Sequence, residues 1–266
     1  KTPIPVPSNV LYEADFTTLK ITNGNLTGWD KAKLPFVEGI YFNNSGRPAY
    51  SFQDIRLDAG IGRQVMYAQI IDDDPTTSGT SRAQMTVDHN QAMDQVYTSH
   101  MMYLHPDIAS LASYPGTIRW FTLFEMWNLR DATQGGDPAG SSRISISLFK
   151  DATGPLYWHV AYEEMQPVEK VIWQQTSTAP IPFGNWFNFD ILVKRGGTTT
   201  GKVKLLIDGV PVFDISNNTI YRNKPELYIN QWQMFKLYAS DQIMDWARTN
   251  GKKLAVMYDN LKWYKF

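Results

Sequence analysis

Apolar and polar residues alternate with a period of two along most of this 266-residue chain, and helical periodicity appears only in short pieces. The alternation predicts strands at 10–16, 48–57, 63–72, 81–88, 97–104, 117–128, 143–150, 155–163, 168–174, 186–194, 202–207, 210–215, 227–238 and 254–264. Turn residues separate them: Gly60-Ile61-Gly62, Thr76 to Gly79, Gly135 to Pro138, Gly196-Gly197 and Asp208-Gly209. Asp208-Gly209 is the clearest hairpin, because Asp followed by Gly supplies the two positive φ angles of a type I′ turn. Short helices are expected at 106–113 and 241–249, the second capped by Ser240 or Asp241 and stopped by Gly251. No linker, composition break or fixed-period repeat divides the chain. Fourteen short strands with one or two short helices make an all-β protein, an antiparallel β-sandwich in a single domain over 9–266. The proline-rich start, 1–8, reads as a tether.

The last third carries a familiar pattern. Gly184-Asn-Trp186-Phe-Asn-Phe-Asp-Ile-Leu-Val-Lys194 is followed by Gly201-Lys-Val-Lys-Leu-Leu-Ile-Asp-Gly209 and Pro211-Val-Phe213. This run is similar to one found in concanavalin A-like jelly rolls: laminin-G-like domains, secreted glycoside hydrolases and jelly-roll polysaccharide lyases. Tyr258-Asp-Asn-Leu-Lys262 resembles the closing strand of such domains, which returns beside the first strand. The resemblance implies two curved antiparallel sheets, the concave one carrying a carbohydrate groove. It is a resemblance of fold, and fold does not fix function.

Aromatic residues make up 14% of the chain, with 9 Trp and 14 Tyr, which suits a β fold whose clefts are lined by flat rings that stack on sugars. A net charge of -1 argues against a nucleic-acid partner. Cysteine is absent, which excludes disulfides and thiolate metal sites. No apolar run reaches the roughly 18 residues of a membrane span. Together with the tether, this composition points to a monomeric secreted, periplasmic or cell-surface protein with a polysaccharide or oligosaccharide as partner. No cofactor is expected. The acidic run Asp72-Asp73-Asp74 leaves calcium open, although three adjacent acids are more often a solvated loop.

Two chemistries suit the fold. Glycoside hydrolysis needs two carboxyls, placed by the laminarinase-like hydrolases on one strand as E-x-D-x-x-E or E-x-D-x-E. Glu125 is followed instead by Met126, Trp127, Asn128 and Leu129, so the second acid is missing. Jelly-roll lyases cleave uronic-acid polymers by β-elimination. A Tyr or His takes the C5 proton while Arg, Gln, Asn or His neutralises the uronate carboxylate. His159, Tyr157 and His100 are the candidate bases. Arg82, Gln84, Arg119, Glu125, Trp127 and Arg143 are the candidate substrate contacts. The alginate-lyase motifs R-[ST]-E-[LV]-R, Q-[IV]-H and Y-F-K-A-G-x-Y-x-Q are absent, so a lyase would belong to a more distant family. A non-catalytic glycan-binding module and a laminin-G-type adhesion domain remain open beside it.

Alternation through Arg119 to Asn128 places Arg119, Phe121, Leu123, Glu125 and Trp127 on one face and Trp120, Thr122, Phe124, Met126 and Asn128 on the other. Both faces are largely apolar, so this strand should be central and covered. Glu125 then requires a charged partner, because an unpaired buried carboxylate is costly.

Overall fold

The computed structural model describes residues 9–22, 25–29, 37–43, 49–72, 80–89, 93–128, 142–165, 168–221 and 228–265. Among these residues there are seventeen strands: β1 Asn9–Ala14, β2 Lys20–Thr22, β3 Asn25–Thr27, β4 Val37–Asn43, β5 Ser51–Asp58, β6 Arg63–Ile70, β7 Thr80–His89, β8 Gln95–Leu104 and β9 Ile118–Asn128. Then follow β10 Ser142–Lys150, β11 Tyr157–Glu164, β12 Lys170–Ser177, β13 Trp186–Lys194, β14 Lys202–Ile207, β15 Val210–Ser216, β16 Gln231–Ser240 and β17 Leu254–Lys265. A 3-10 helix, Pro106–Ser113, and one α-helix, α1 at Asp241–Thr249, complete the set. The proposed tether 1–8 lies outside the described residues.

Two antiparallel sheets face each other, the arrangement the alternation demands. One runs β15-β14-β13-β8-β17-β6-β5, with β1 also paired to β17; the other runs β12-β11-β10-β9-β16-β7-β4-β3-β2. The Val37–Asn43 strand was not anticipated. Glu38-Gly39 breaks its alternation, and the register to β7 shifts between Val37 and Gly39. The expected hairpin forms: Asp208 has φ 49° and Gly209 φ 75°, and the Asp208 carboxylate accepts from the Asn188 amide at 2.8 Å. The closing strand does return beside the first, Lys262 facing Glu13.

The inward faces share one core. Trp232 of the nine-stranded sheet stacks on Trp263 of the other at 3.7 Å, and Trp158 meets Phe187 and Phe189. All five side chains are buried. Each contributes roughly 1.5–3 kcal/mol by burial. The α-helix buries Ile243, Met244 and Ala247 on one side. It ends where Gly251 turns to φ 63° and the Lys252 amide reaches back to the Ala247 carbonyl at 2.7 Å.

Candidate active site

The outward face of the nine-stranded sheet is polar. Its register lines up transverse rows of side chains, one residue from each strand. Thr176, His159, Ser147, Thr122, Tyr238 and Arg82 form one row across β12, β11, β10, β9, β16 and β7. Gln174, Ala161, Ser145, Glu125, Gln233 and Thr86 form the next. A third carries Glu163, Arg143, Trp127 and Gln231.

Bulges in the two central strands decide which residues reach this face. Against β7, Met234 faces Met85 and Lys236 faces Gln84, so Phe235 is one residue too many for the ladder. It takes φ 46°, a left-handed conformation that costs a residue bearing Cβ about 1–2 kcal/mol. The extra residue shifts the alternation by one, so that Gln233 before it and Lys236 and Tyr238 after it share the polar face. In β9, Phe124 faces Ile146 but Thr122 faces Ser147, which makes Leu123 the extra residue. Phe121, Leu123 and Phe124 therefore all enter the core, while Thr122 and Glu125 face outward. This corrects the strict alternation expected from Arg119 to Asn128. Trp120, not Arg119, accompanies the polar face and stacks on Tyr238 at 4.5 Å.

Glu125 and Lys236 sit at the centre, 1% and 2% exposed. The Lys236 ammonium donates to Glu125 Oε2 and to Gln233 Oε1 at 2.7 Å. Trp127 Nε1 donates to the same Glu125 oxygen at 2.8 Å, and Arg143 lies 3.8 Å from the other. Burial pushes the Glu125 carboxyl up, but Lys236 and Arg143 outweigh it and hold the group below its usual value, so it is ionised. Burial, with help from Arg143 and Arg82, brings Lys236 down to about 8 against the opposing pull of Glu125.

Around this pair the charges are ordered. Arg143 donates to Glu163 at 2.6 Å and to Glu169 at 2.9 Å and lies 5.3 Å over the Trp127 ring. Burial alone would lower its pKa, but Glu125, Glu163 and Glu169 outweigh it and raise it. On the other side, Arg82 and Lys236 lie 4.8 Å and 4.9 Å from the Tyr238 ring centre. Gln84 donates to Thr86 at 3.1 Å.

His159 stacks on Phe149 at 5.5 Å. Its Nε2 is 3.2 Å from Gln174 Oε1; that oxygen only accepts, so Nε2 carries the proton. Nδ1 has no hydrogen-bond partner. Burial lowers the pKa of the ring, opposed by Gln174 and Glu163. Tyr157 is one row farther out, opposite Phe149, and borders an apolar cleft of about 370 Å³ with Leu156, Ile181 and Phe183.

The structure thus gathers Arg82, Gln84, Glu125, Trp127, Arg143 and His159 on one face. His100 is not among them. It projects into the core, 1% exposed, against Phe189 at 5.0 Å and Phe235 at 5.7 Å, and burial takes it down to about 3. Its strand belongs to the opposite sheet, which removes it as a base. Arg119 is exposed at the start of β9, turned away from the Trp120 side. Lys236, Tyr238, Gln231, Gln233 and Glu163 went unnamed as site residues in the sequence. Their signal is a phase change, since polar positions 231 and 233 are followed by 236 and 238. Among the described residues no group of three His, Asp or Glu side chains is placed to hold a metal. Asp72 pairs with Arg248 at 3.2 Å, and Asp73 and Asp74 lie outside the described residues.

A family model described as polysaccharide lyase matches residues 21–262. The chain belongs to this polysaccharide lyase family. The lyase-like, polysaccharide-active character implied by the resemblance therefore holds for the chain as a whole. Similar solved structures agree in fold. A mutant of alginate lyase Aly36B in complex with alginate tetrasaccharide is 14% identical, with a TM-score of 0.57 over 98% of each chain. The endo-β-1,4-glucuronan lyase of the fungus Trichoderma reesei is 15% identical, TM-score 0.57, over 97% of this chain and 96% of that one. SCLam, a non-specific endo-β-1,3(4)-glucanase of family GH16, is 12% identical, TM-score 0.55, over 99% and 94%. No curated protein matches the sequence. Among the described residues no helix is long and apolar enough to cross a membrane.

Proposed function

We propose that this polysaccharide lyase family member cleaves a uronic-acid polymer by β-elimination, with the polymer lying across the polar face of the nine-stranded sheet and Tyr238 carrying the proton. The observation that supports this reading is the placing of Tyr238 between Arg82 and Lys236. A substrate carboxylate entering there meets Arg82, with the buried Lys236 charge behind it, and the positive field makes the adjacent C5 proton more acidic. The Tyr238 oxygen takes the C5 proton, the C4–O bond breaks as the C4–C5 double bond forms, and the same oxygen returns the proton to the leaving oxygen.

Distance and charge select Tyr238 over His159. Three strand steps separate them in one row, roughly 14 Å at about 4.8 Å per step, so they cannot serve the same sugar carbon. The His159 end is flanked by Glu163, whose charge opposes a polyanion. We assign His159 to the binding face, where it holds Gln174, with Tyr157 farther along as an outer contact. Arg143 and Trp127 form the wall that keeps Glu125 ionised. A hydrolase reading needs a carboxyl that holds a proton, and Glu125 is held below its usual value while Glu163 is bound to Arg143. A polymeric substrate fits action outside the cytosol, as a monomer.

The test is incubation with a panel of polyuronates, including alginate and β-1,4-glucuronan, followed at the ultraviolet absorbance of the unsaturated product. The wild type should give a rise, and Tyr238→Phe should abolish it while oligosaccharide binding persists. Binding without any rise, for the wild type on every polymer, would establish the non-catalytic module instead.

A further inference from the structure

The bulge that brings Lys236 and Tyr238 to one face is held from the opposite sheet. Tyr258 of β17 crosses the core, and its hydroxyl donates to the Lys236 backbone carbonyl at 2.9 Å. Its ring stacks on Phe235 at 4.4 Å with 29° between planes. Phe16 at 5.6 Å and His100 at 5.7 Å enclose the Phe235 ring. Tyr258 and Phe235 are both fully buried.

A bulge frees one backbone position from the ladder, and a buried carbonyl without a partner is unfavourable. The Tyr258 hydroxyl supplies that partner. A regular β16 would return to plain alternation after Gln233. Phe235 would then face outward with Gln233, and Lys236 and Tyr238 would point into the core. Two buried contacts, one polar and one aromatic, oppose that slip.

We infer that Tyr258 is a positioning residue: by bonding the Lys236 carbonyl and stacking on Phe235 it locks the β16 bulge that presents Lys236 and Tyr238 to the substrate. This inference rests on the elimination reading for its effect on turnover, but not for its effect on Lys236. Loss of the hydroxyl loosens the bulge without removing any group that touches substrate. Water then reaches the Lys236 ammonium, and its titration midpoint moves back toward that of an ordinary lysine.

The experiment compares the wild type with Tyr258→Phe, and with Phe235→Leu as a second variant that keeps an apolar filler but loses the stacked ring. Lysine-labelled protein is titrated by NMR to read Lys236 directly, its resonance being assigned with Lys236→Met. Polyuronate turnover is measured in parallel. For Tyr258→Phe the Lys236 midpoint should rise by about one unit. Its kcat should fall roughly 10–100-fold, as for a small misplacement of reacting groups, with KM held within about twofold. Phe235→Leu should move both readouts in the same direction. An unchanged Lys236 midpoint in folded Tyr258→Phe overturns the inference, whatever the turnover. If the wild type turns over no polyuronate while the midpoint still shifts, the elimination reading fails and the positioning role stands.

Discussion

Lys236 and Glu125 form a charge pair in the middle of the nine-stranded sheet, joined across β16 and β9 and nearly closed to solvent. The attraction between them is offset by the desolvation of both ions, so the pair adds little net stability. Losing one partner is different, because it strands a buried charge. Lys236→Met and Glu125→Gln should each destabilise the fold, Lys236→Met by about 3–5 kcal/mol since it leaves a bare carboxylate. The double variant should recover most of that loss while remaining inactive. Denaturant unfolding of the four proteins checks this; additive losses would show that the two groups are not coupled.

Activity should depend on Lys236 remaining an ammonium ion. Burial brings it down to about 8, so its positive charge is present below that pH and lost above it. The kcat/KM profile should therefore fall on its alkaline side near pH 8. A profile that instead rises through pH 8 would identify neutral Lys236 as the base in place of Tyr238.

His100 makes the fold acid-sensitive. Its ring is buried neutral with both nitrogens unpartnered, and its pKa drops from 6.5 to about 3. Between those values the unfolded chain binds the proton and the folded chain does not, so stability is intact above 6.5 and declines as the pH falls. The slope approaches about 1.4 kcal/mol per pH unit inside that window. His100→Leu should flatten this decline and cost nothing at pH 7, since an apolar group replaces an unpaired polar one. Melting temperatures of both proteins from pH 7 to pH 4 test it, and equal slopes would refute it.

Lys150 is also fully buried, and its surroundings are structural. Its ammonium donates to the carbonyls of Tyr114 at 2.8 Å, Ala152 at 2.9 Å and Asp151 at 3.0 Å. Lys150→Met should leave these acceptors unmet and cost roughly 2–4 kcal/mol. Turnover per folded molecule should not change, in contrast to Lys236→Met.

Sheet and hairpin were legible because they arise from local rules. Residues 187, 189, 191 and 193 alternate with polar neighbours except at Leu192, and the strand buries them as that pattern requires. Asp208-Gly209 has only one economical backbone path between two strands. Glu125 was legible as a buried acid in need of a cation, from the apolar residues on both sides of it. One charged partner is Arg143, which lies 3.8 Å from Glu125.

The identity of its closer partner was not legible. Lys236 is 111 positions away, and strand order brings β16 beside β9 although six of the described strands separate them along the chain. The parity of each residue on those strands depends on Leu123 and Phe235. An extra residue leaves composition untouched while moving every later side chain to the opposite face. His100 shows the same limit from the other direction. A polar residue in an alternating strand reads as outward, and only the packing of Phe189, Phe235 and Tyr258 around it shows that it faces in. By itself, then, the sequence determined the strands and hairpin of the sandwich, since these rest on periodicity and turn chemistry repeated along the chain, whereas the return of the closing strand and the lyase-like reading came from a resemblance. Which residues share the polar face was decided only by tertiary structure. Two bulges, one of them bonded from across the core by Tyr258, set the side of the sheet that Glu125 and Lys236 occupy.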